Sequence, residues 1–89
     1  MGHQDIKDLI ENNCIEQAID MLNKLVEVDF TDAEVYFLRG KAYWRLGNRA
    51  RALSDYATAA DLDPDSPAVI ALEQAREIEA FFNPDLLNP

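Results

Sequence analysis

The sequence predicts an all-α fold in which short amphipathic helices follow one another as hairpins. Three observations favour this fold class. Apolar side chains recur every three to four residues, as they do on one face of a helix. The sequence also resembles itself after a shift of 34 positions, which places Ala18 on Ala52 and Leu22 on Tyr56. Such a period is typical of stacked helix–turn–helix units. Finally, no run of alternating apolar and polar residues indicates a strand.

The first hairpin is predicted from two apolar stripes separated by a pair of asparagines. A short stripe contains Ile6 and Ile10, and a longer one spans residues 15–26. Asn12 and Asn13 lie between the stripes, and Asn tolerates the left-handed conformation that ends many helices. We therefore expect two antiparallel helices joined by a tight turn.

A second hairpin follows, and its ends carry clear helix signals. The third helix is expected to begin near Thr31 or Asp32, since either side chain could cap its first turn. Gly47 is a natural stop for this helix, and Asn48 is a natural N-cap for the next. The fourth helix carries apolar side chains as far as Leu62.

The fifth helix is predicted to follow a sharp loop over residues 63–67. Ser66 is a good N-cap, Pro67 suits the first helical position, and the helix is expected to run to about residue 80. Its polar side chains at Glu73 and Glu77 indicate that the array stops here. The expected organisation is one domain over residues 1–82, with units at 3–32 and 33–66, a capping helix at 67–80, and a tail at 83–89.

The second unit resembles the tetratricopeptide repeat (TPR) family. The family pattern is Trp-x2-Leu-Gly-x2-Tyr, then Ala-x3-Phe, then Pro. Here these places are held by Tyr36, Arg39, Gly40, Tyr43, Ala52, Tyr56 and Pro64. The resemblance implies a right-handed superhelix of paired helices, in which small residues allow close approach and large ones fill the space.

One position departs from the family pattern. Arg39 stands where the family has Leu. We expect its aliphatic stem to pack against the neighbouring helix while its charged head stays in water.

The resemblance also implies a binding surface. In proteins of this family, the first helix of each unit lines a concave groove that holds extended peptides. Phe37 and Trp44 occupy such places, although partial burial under neighbouring helices is an alternative reading of both rings. The full candidate set for peptide binding is Lys7, Ile10, Glu34, Phe37, Lys41, Trp44, Arg45, Ala75 and Ile78.

Charge narrows the class of partner. The 89 residues carry a net charge of −9, which argues against nucleic acid as a ligand. The basic residues nevertheless concentrate between Arg39 and Arg51, a stretch that contains no acidic residue. This stretch is either a solvated basic face or a local patch that attracts anions.

Catalytic and metal chemistry find little support in the sequence. His3 is the only histidine, so a His-based catalytic site is not expected. Asp61, Asp63 and Asp65 are spaced as in a calcium loop, but Ser66 replaces the required Gly, and a turn is the better interpretation. We expect no enzyme activity, no catalytic residue, no metal and no cofactor.

The expected cellular compartment rests on the cysteine content and on the lengths of the apolar runs. Cys14 is the only cysteine, which excludes an internal disulfide and is typical of a reducing compartment. No apolar run is long enough to span a membrane, and no signal peptide is recognisable at the start. A cytoplasmic location is the expectation.

These observations predict a protein–protein interaction module. A peptide or protein segment is expected to bind the groove of a monomer or weak homodimer. The alternative is a structural helical-repeat protein that pairs with itself through exposed apolar surface and has no separate ligand.

Overall fold

The structure is a computed structural model, and it describes the backbone of residues 3–82 and the side chains of residues 3–77. This part of the chain forms five α-helices and no strand, which confirms the predicted fold class. The proposed tail at 83–89 and the side chain of Ile78 lie outside the described residues. The helices are α1 (Gln4–Glu11), α2 (Ile15–Val28), α3 (Ala33–Leu46), α4 (Arg49–Leu62) and α5 (Ala68–Phe82).

Three of the helices begin at side-chain caps. Asp32, Asn48 and Ser66 each accept a hydrogen bond from a backbone N–H two or three residues further on, at 3.0, 3.2 and 3.1 Å. The hydroxyl of Thr31 instead donates to Asp29 at 2.6 Å, so Asp32 is the cap of α3. The hydrogen bonds from the Thr31 hydroxyl and backbone N–H lower the pKa of the Asp29 carboxyl.

Both hairpins turn through a residue in the left-handed region. Asn13 has a φ of 65° between α1 and α2, and Gly47 has a φ of 89° between α3 and α4. The next backbone N–H, from Cys14 or Asn48, bonds back to a carbonyl of the preceding helix at 2.8 or 2.9 Å. The turns predicted at Asn13 and Gly47 are confirmed.

Each helix packs against the next one along the chain, and α1 also contacts α3. The closest approach in the second hairpin is at Gly40. A Cβ atom there would lie 2.7 Å from two ring carbons of Tyr56 and 3.3 Å from the carbonyl oxygen of Ala52. The expectation that small residues let these helices approach, while a large ring fills the space, is confirmed.

The expectation for Arg39 is wrong. Its head is not free in water but paired with protein groups: Nε and Nη2 donate to the two carboxylate oxygens of Asp55 at 2.9 and 2.8 Å. Nη1 donates to the side-chain oxygen of Asn23 at 3.1 Å. The Asp55 side chain is only 7% exposed, and its hydrogen bond raises the pKa of the Arg39 guanidinium. The pair joins α3 to α4, and Asn23 extends the network to α2.

Candidate functional site

Two adjoining cavities lie beside α3, and we call them together the groove. The first is about 350 Å³, lies between α1 and α3, and is lined by Ile10 and Lys41 among others. The second is about 230 Å³ and is bounded by α1, α3 and the loop before α5. Both cavities are lined by Lys7, Phe37 and Leu38, so these three side chains form the middle of the groove.

Phe37 is the aromatic centre of the groove. Its ring is half-buried, and its centroid lies 6.0 Å from that of Tyr56 with an interplanar angle of 38°. The ammonium group of Lys41 lies 5.7 Å from the Phe37 centroid, within range of a cation–π contact. Phe37 therefore agrees with both interpretations of the sequence, because its ring packs against the core and also lines a cavity.

The charged candidates Lys7, Glu34 and Lys41 also line the groove. Lys7 and Lys41 are half-buried, whereas Glu34 is exposed at the start of α3. Glu34 lines the cavity beside the loop, Lys41 lines the cavity between α1 and α3, and Lys7 lines both. The structure thus brings these three together with Phe37.

Trp44 lines a separate cavity further along α3, which we call the Trp44 cavity. It is about 220 Å³ and lies between α3, α4 and α5. Tyr56 and Ala75 also line it, although Ala75 is only 3% exposed and presents little surface. The guanidinium of Arg49 lies over the Trp44 ring at 5.3 Å from its centroid. Trp44 and Ala75 are therefore close to each other but apart from the groove.

Two other candidates have structural contacts. Ile10 is 2% exposed and belongs to the core, so it forms the floor of the first cavity. Arg45 does not line the groove. It donates to the backbone carbonyl of Ile10 at 3.2 Å and lies 3.7 Å from the carboxylate of Glu11, which ties α3 to the end of α1. Arg45 also lines a wider depression of about 500 Å³ beside Cys14.

The basic side chains between Arg39 and Arg51 contact several different partners. Arg39 is paired with Asp55, and Arg45 lies near Glu11. The three other cations of this stretch, Lys41, Arg49 and Arg51, lie over aromatic rings of α3. Besides the Phe37 and Trp44 contacts, Arg51 lies 5.6 Å from the Tyr43 centroid and donates to the Tyr43 hydroxyl at 3.3 Å. These side chains therefore do not converge on one anion site.

Sequence reasoning missed the contribution of the loop before α5. Asp63, Asp65, Ser66 and Pro67 line the second cavity of the groove. The repeat offered a signal for this. A loop that follows the second helix of a unit returns the chain to the end at which the first helix began. It therefore comes close to Glu34 at the start of α3.

Other kinds of site find no support in residues 3–77. No group of three or more His, Cys, Asp or Glu side chains is placed to hold a metal ion there. Asp63 accepts a hydrogen bond from the backbone N–H of Asp65 at 3.0 Å, as expected of a turn. None of the described helices combines the length and the apolar character needed to cross a membrane.

Comparison with known proteins settles the family. The tetratricopeptide repeat model matches residues 33–66. The solution NMR structure of Bacteroides fragilis protein BF1650 resembles this fold with a TM-score of 0.88 at 37% sequence identity, over 99% of this chain and 91% of that one. The chain belongs to the TPR family.

This chain is also similar to a TPR protein that is a subunit of a complex. Anaphase-promoting complex subunit 3 from Dictyostelium discoideum is 39% identical over 56 residues, which make up 63% of this chain. The chain spans only 6% of the length of that protein. TPR repeats generally mediate protein–protein interactions, and the family is non-catalytic.

Proposed function

We propose that this TPR protein binds an extended segment of a partner protein in the groove beside α3. The observation that carries the proposal is Phe37, a large apolar ring that lines both cavities and lies 5.7 Å from the ammonium group of Lys41. Aromatic side chains that a partner can cover completely dominate binding energy in many interfaces. A segment seated on Phe37 would remove the rest of that ring from water.

The dimensions of the groove suit a short extended segment. Glu34 and Lys41 are seven residues apart on α3, which corresponds to about 10 Å at 1.5 Å per residue. An extended chain advances about 3.3 Å per residue, so about three residues of a partner span this distance. Flanking residues would then reach the loop before α5 on one side and the Trp44 cavity on the other.

Self-association is the second candidate function. Val28 and Phe30 are 84% and 70% exposed at the junction of α2 and α3, outside the groove. Exposed apolar side chains that lie close together favour an interface. A second copy covering this junction would make the protein a structural oligomer.

Two aromatic variants separate these candidates. Peptides selected from a random library against the protein are titrated against the wild type, Phe37→Ala and the matched control Phe30→Ala. We expect Phe37→Ala to weaken binding by about tenfold or more, as loss of a central anchor does. Phe30→Ala should leave the affinity unchanged, and circular dichroism serves to check that both variants remain folded.

The opposite pattern would contradict groove binding. If Phe37→Ala leaves the affinities unchanged, the peptide binds elsewhere on the protein. A wild-type dimer in analytical ultracentrifugation that becomes a monomer in Phe30→Ala would support the structural oligomer instead.

A further inference from the structure

We propose that the groove selects a partner segment with a basic side chain and an acidic side chain about three residues apart and an apolar side chain between them. The inference rests on the proposed function and adds the chemistry of the partner. Its basis is an asymmetry of charge between the two cavities on either side of Phe37.

The cavity beside the loop is acidic. Glu34, Asp63 and Asp65 line it, and within residues 3–77 the only cation that lines it is Lys7. Within residues 3–77, none of the three carboxylates lies within ion-pair distance of a Lys or Arg side chain. The nearest titratable partner of Glu34 is His3, at 3.9 Å. A basic side chain of a partner would find uncompensated carboxylates at this end.

The cavity between α1 and α3 has the opposite balance. Lys7 and Lys41 line it, and Glu11 is the only carboxylate among the described residues around it. That carboxylate already lies 3.7 Å from Arg45. Two ammonium groups thus remain without an ion pair among the described residues, in a chain whose net charge is −9. An acidic side chain of a partner would be favoured here against the charge of the whole protein.

The spacing follows from α3 itself. Glu34, Phe37 and Lys41 lie on successive turns, so the acidic end, the ring and the basic end follow one another along the helix. The distance of about 10 Å between the outer two matches three residues of extended chain. Complementary charges at both ends fix the position of a segment, while Phe37 supplies the apolar contact.

The probes are nine-residue synthetic peptides with a central leucine and one charged residue on either side. Four versions carry a mixed pair in either order, two acidic residues, or two basic residues. Both mixed orders are needed because an extended chain can lie in the groove in two directions. At physiological salt, the wild type should bind the better mixed peptide about three- to tenfold more tightly than either like-charged peptide, as expected for charge pairs at the rim of a site.

Charge-swapped proteins give the decisive comparison. Glu34→Lys should come to prefer the doubly acidic peptide, and Lys41→Glu the doubly basic one. The matched controls Glu27→Lys and Lys24→Glu make the same change in net charge at exposed positions of α2, and they should keep the wild-type preference. If Lys41→Glu does not fold, Lys41→Gln should instead lose the preference for the mixed peptide over the doubly basic one.

The outcomes separate this inference from the proposed function. Equal shifts in the swapped and control proteins would mean that only net charge matters, and would overturn the inference. If binding depends on Phe37 but no swap changes the preference, the groove binds peptides without this selection. Peptide binding that survives Phe37→Ala would remove the basis of both proposals. If none of the four peptides binds while library-selected peptides still bind through Phe37, the inference alone is overturned.

Discussion

The two helical hairpins of this protein pack their helices together by different means. In the second hairpin, Gly40 lies against the ring of Tyr56, so the smallest residue meets one of the largest. The 34-residue shift places Ile6 and Leu22 at these positions in the first hairpin. Both are buried in the core. Two medium-sized side chains thus replace a small and a large one, and interior packing remains dense.

The ends of the helices differ as well. Helices α3 and α4 begin at Asp32 and Asn48, whose side chains accept backbone hydrogen bonds. Helix α1 begins at His3 and α2 at Cys14, and neither side chain forms a capping bond. The second hairpin therefore carries its own local stop and start signals. The first hairpin depends more on packing against its neighbour.

The largest expected effect breaks the ion pair of the second hairpin. Asp55→Ala leaves the Arg39 head without its carboxylate partner in a site where the Arg39 side chain is only 20% exposed. Removal of one partner of a buried pair costs 3–5 kcal/mol, and we expect about 3 kcal/mol because this guanidinium keeps some contact with water. Urea unfolding measures the loss.

The matched control removes both charges. Arg39→Leu restores the residue of the family pattern, and combined with Asp55→Ala it should recover most of the stability that Asp55→Ala loses. A double variant as unstable as Asp55→Ala would show that the effect comes from lost packing rather than from an unpaired charge.

The next effect tests the close contact of α3 and α4. Gly40→Ala places a methyl group against the Tyr56 ring, and overpacking of this kind costs about 1–3 kcal/mol. The gain in helix propensity offsets about 1 kcal/mol of that cost. We expect a net loss of up to about 2 kcal/mol in thermal or urea unfolding.

A second substitution makes this contact resemble that of the first hairpin. Tyr56→Leu removes the ring that the new methyl group would meet. Gly40→Ala should therefore cost less in the Tyr56→Leu background than in the wild type. Equal costs in the two backgrounds would mean that the ring does not limit the approach of the helices.

A smaller effect depends on pH, through the ionisation of Tyr56. Burial, with a contribution from the charge of Asp55, raises the pKa of Tyr56 to about 12. The folded state then holds this proton more tightly than the unfolded state, whose tyrosine has a pKa near 10. The resulting stability is present below pH 10 and is lost as the pH rises towards 12. We expect a loss of about 1 kcal/mol, because Tyr56 lines the Trp44 cavity and solvent reaching this cavity would screen the phenolate.

Tyr56→Phe is the control for this pH effect. Its free energy of unfolding should fall less between pH 10 and pH 12 than that of the wild type, in urea titrations at each pH. Parallel pH profiles would assign the alkaline loss to other groups. The first hairpin has Leu22 at this position, and a leucine does not titrate, so it adds no pH dependence to the stability.

The smallest effect concerns the uncapped start of α2. Cys14→Ser supplies a hydroxyl that can accept a backbone N–H, and we expect thermal unfolding to show a gain of about 0.5–1 kcal/mol. Asn48→Ala, at the equivalent position of α4, should cost a similar amount. A serine that adds nothing at position 14 would show that the geometry of the first turn, rather than the residue type, prevents capping.

Much of this fold could be predicted because its signals are local. Helix periodicity, the turns at Asn13 and Gly47, and the cap at Ser66 depend on residues within a few positions of one another. The repeat period added the Gly40–Tyr56 contact, since a family pattern encodes pairs that meet across a hairpin. Four of the candidate site residues were predicted from their positions on the first helices of the units and line the groove: Lys7, Glu34, Phe37 and Lys41.

The chain by itself thus determined the helices, the turns and the repeat family, because each depends on backbone preferences and short-range spacing. Tertiary structure alone decided where the charged heads lie. Arg39 meets Asp55 on the next helix, 16 residues along the chain, and Arg45 meets the end of α1, 35 residues back. Asp63 and Asp65 reach the groove for the same reason. The position of a charged group on a long side chain or in a loop depends on the surface that it contacts, and that surface forms only when the helices pack.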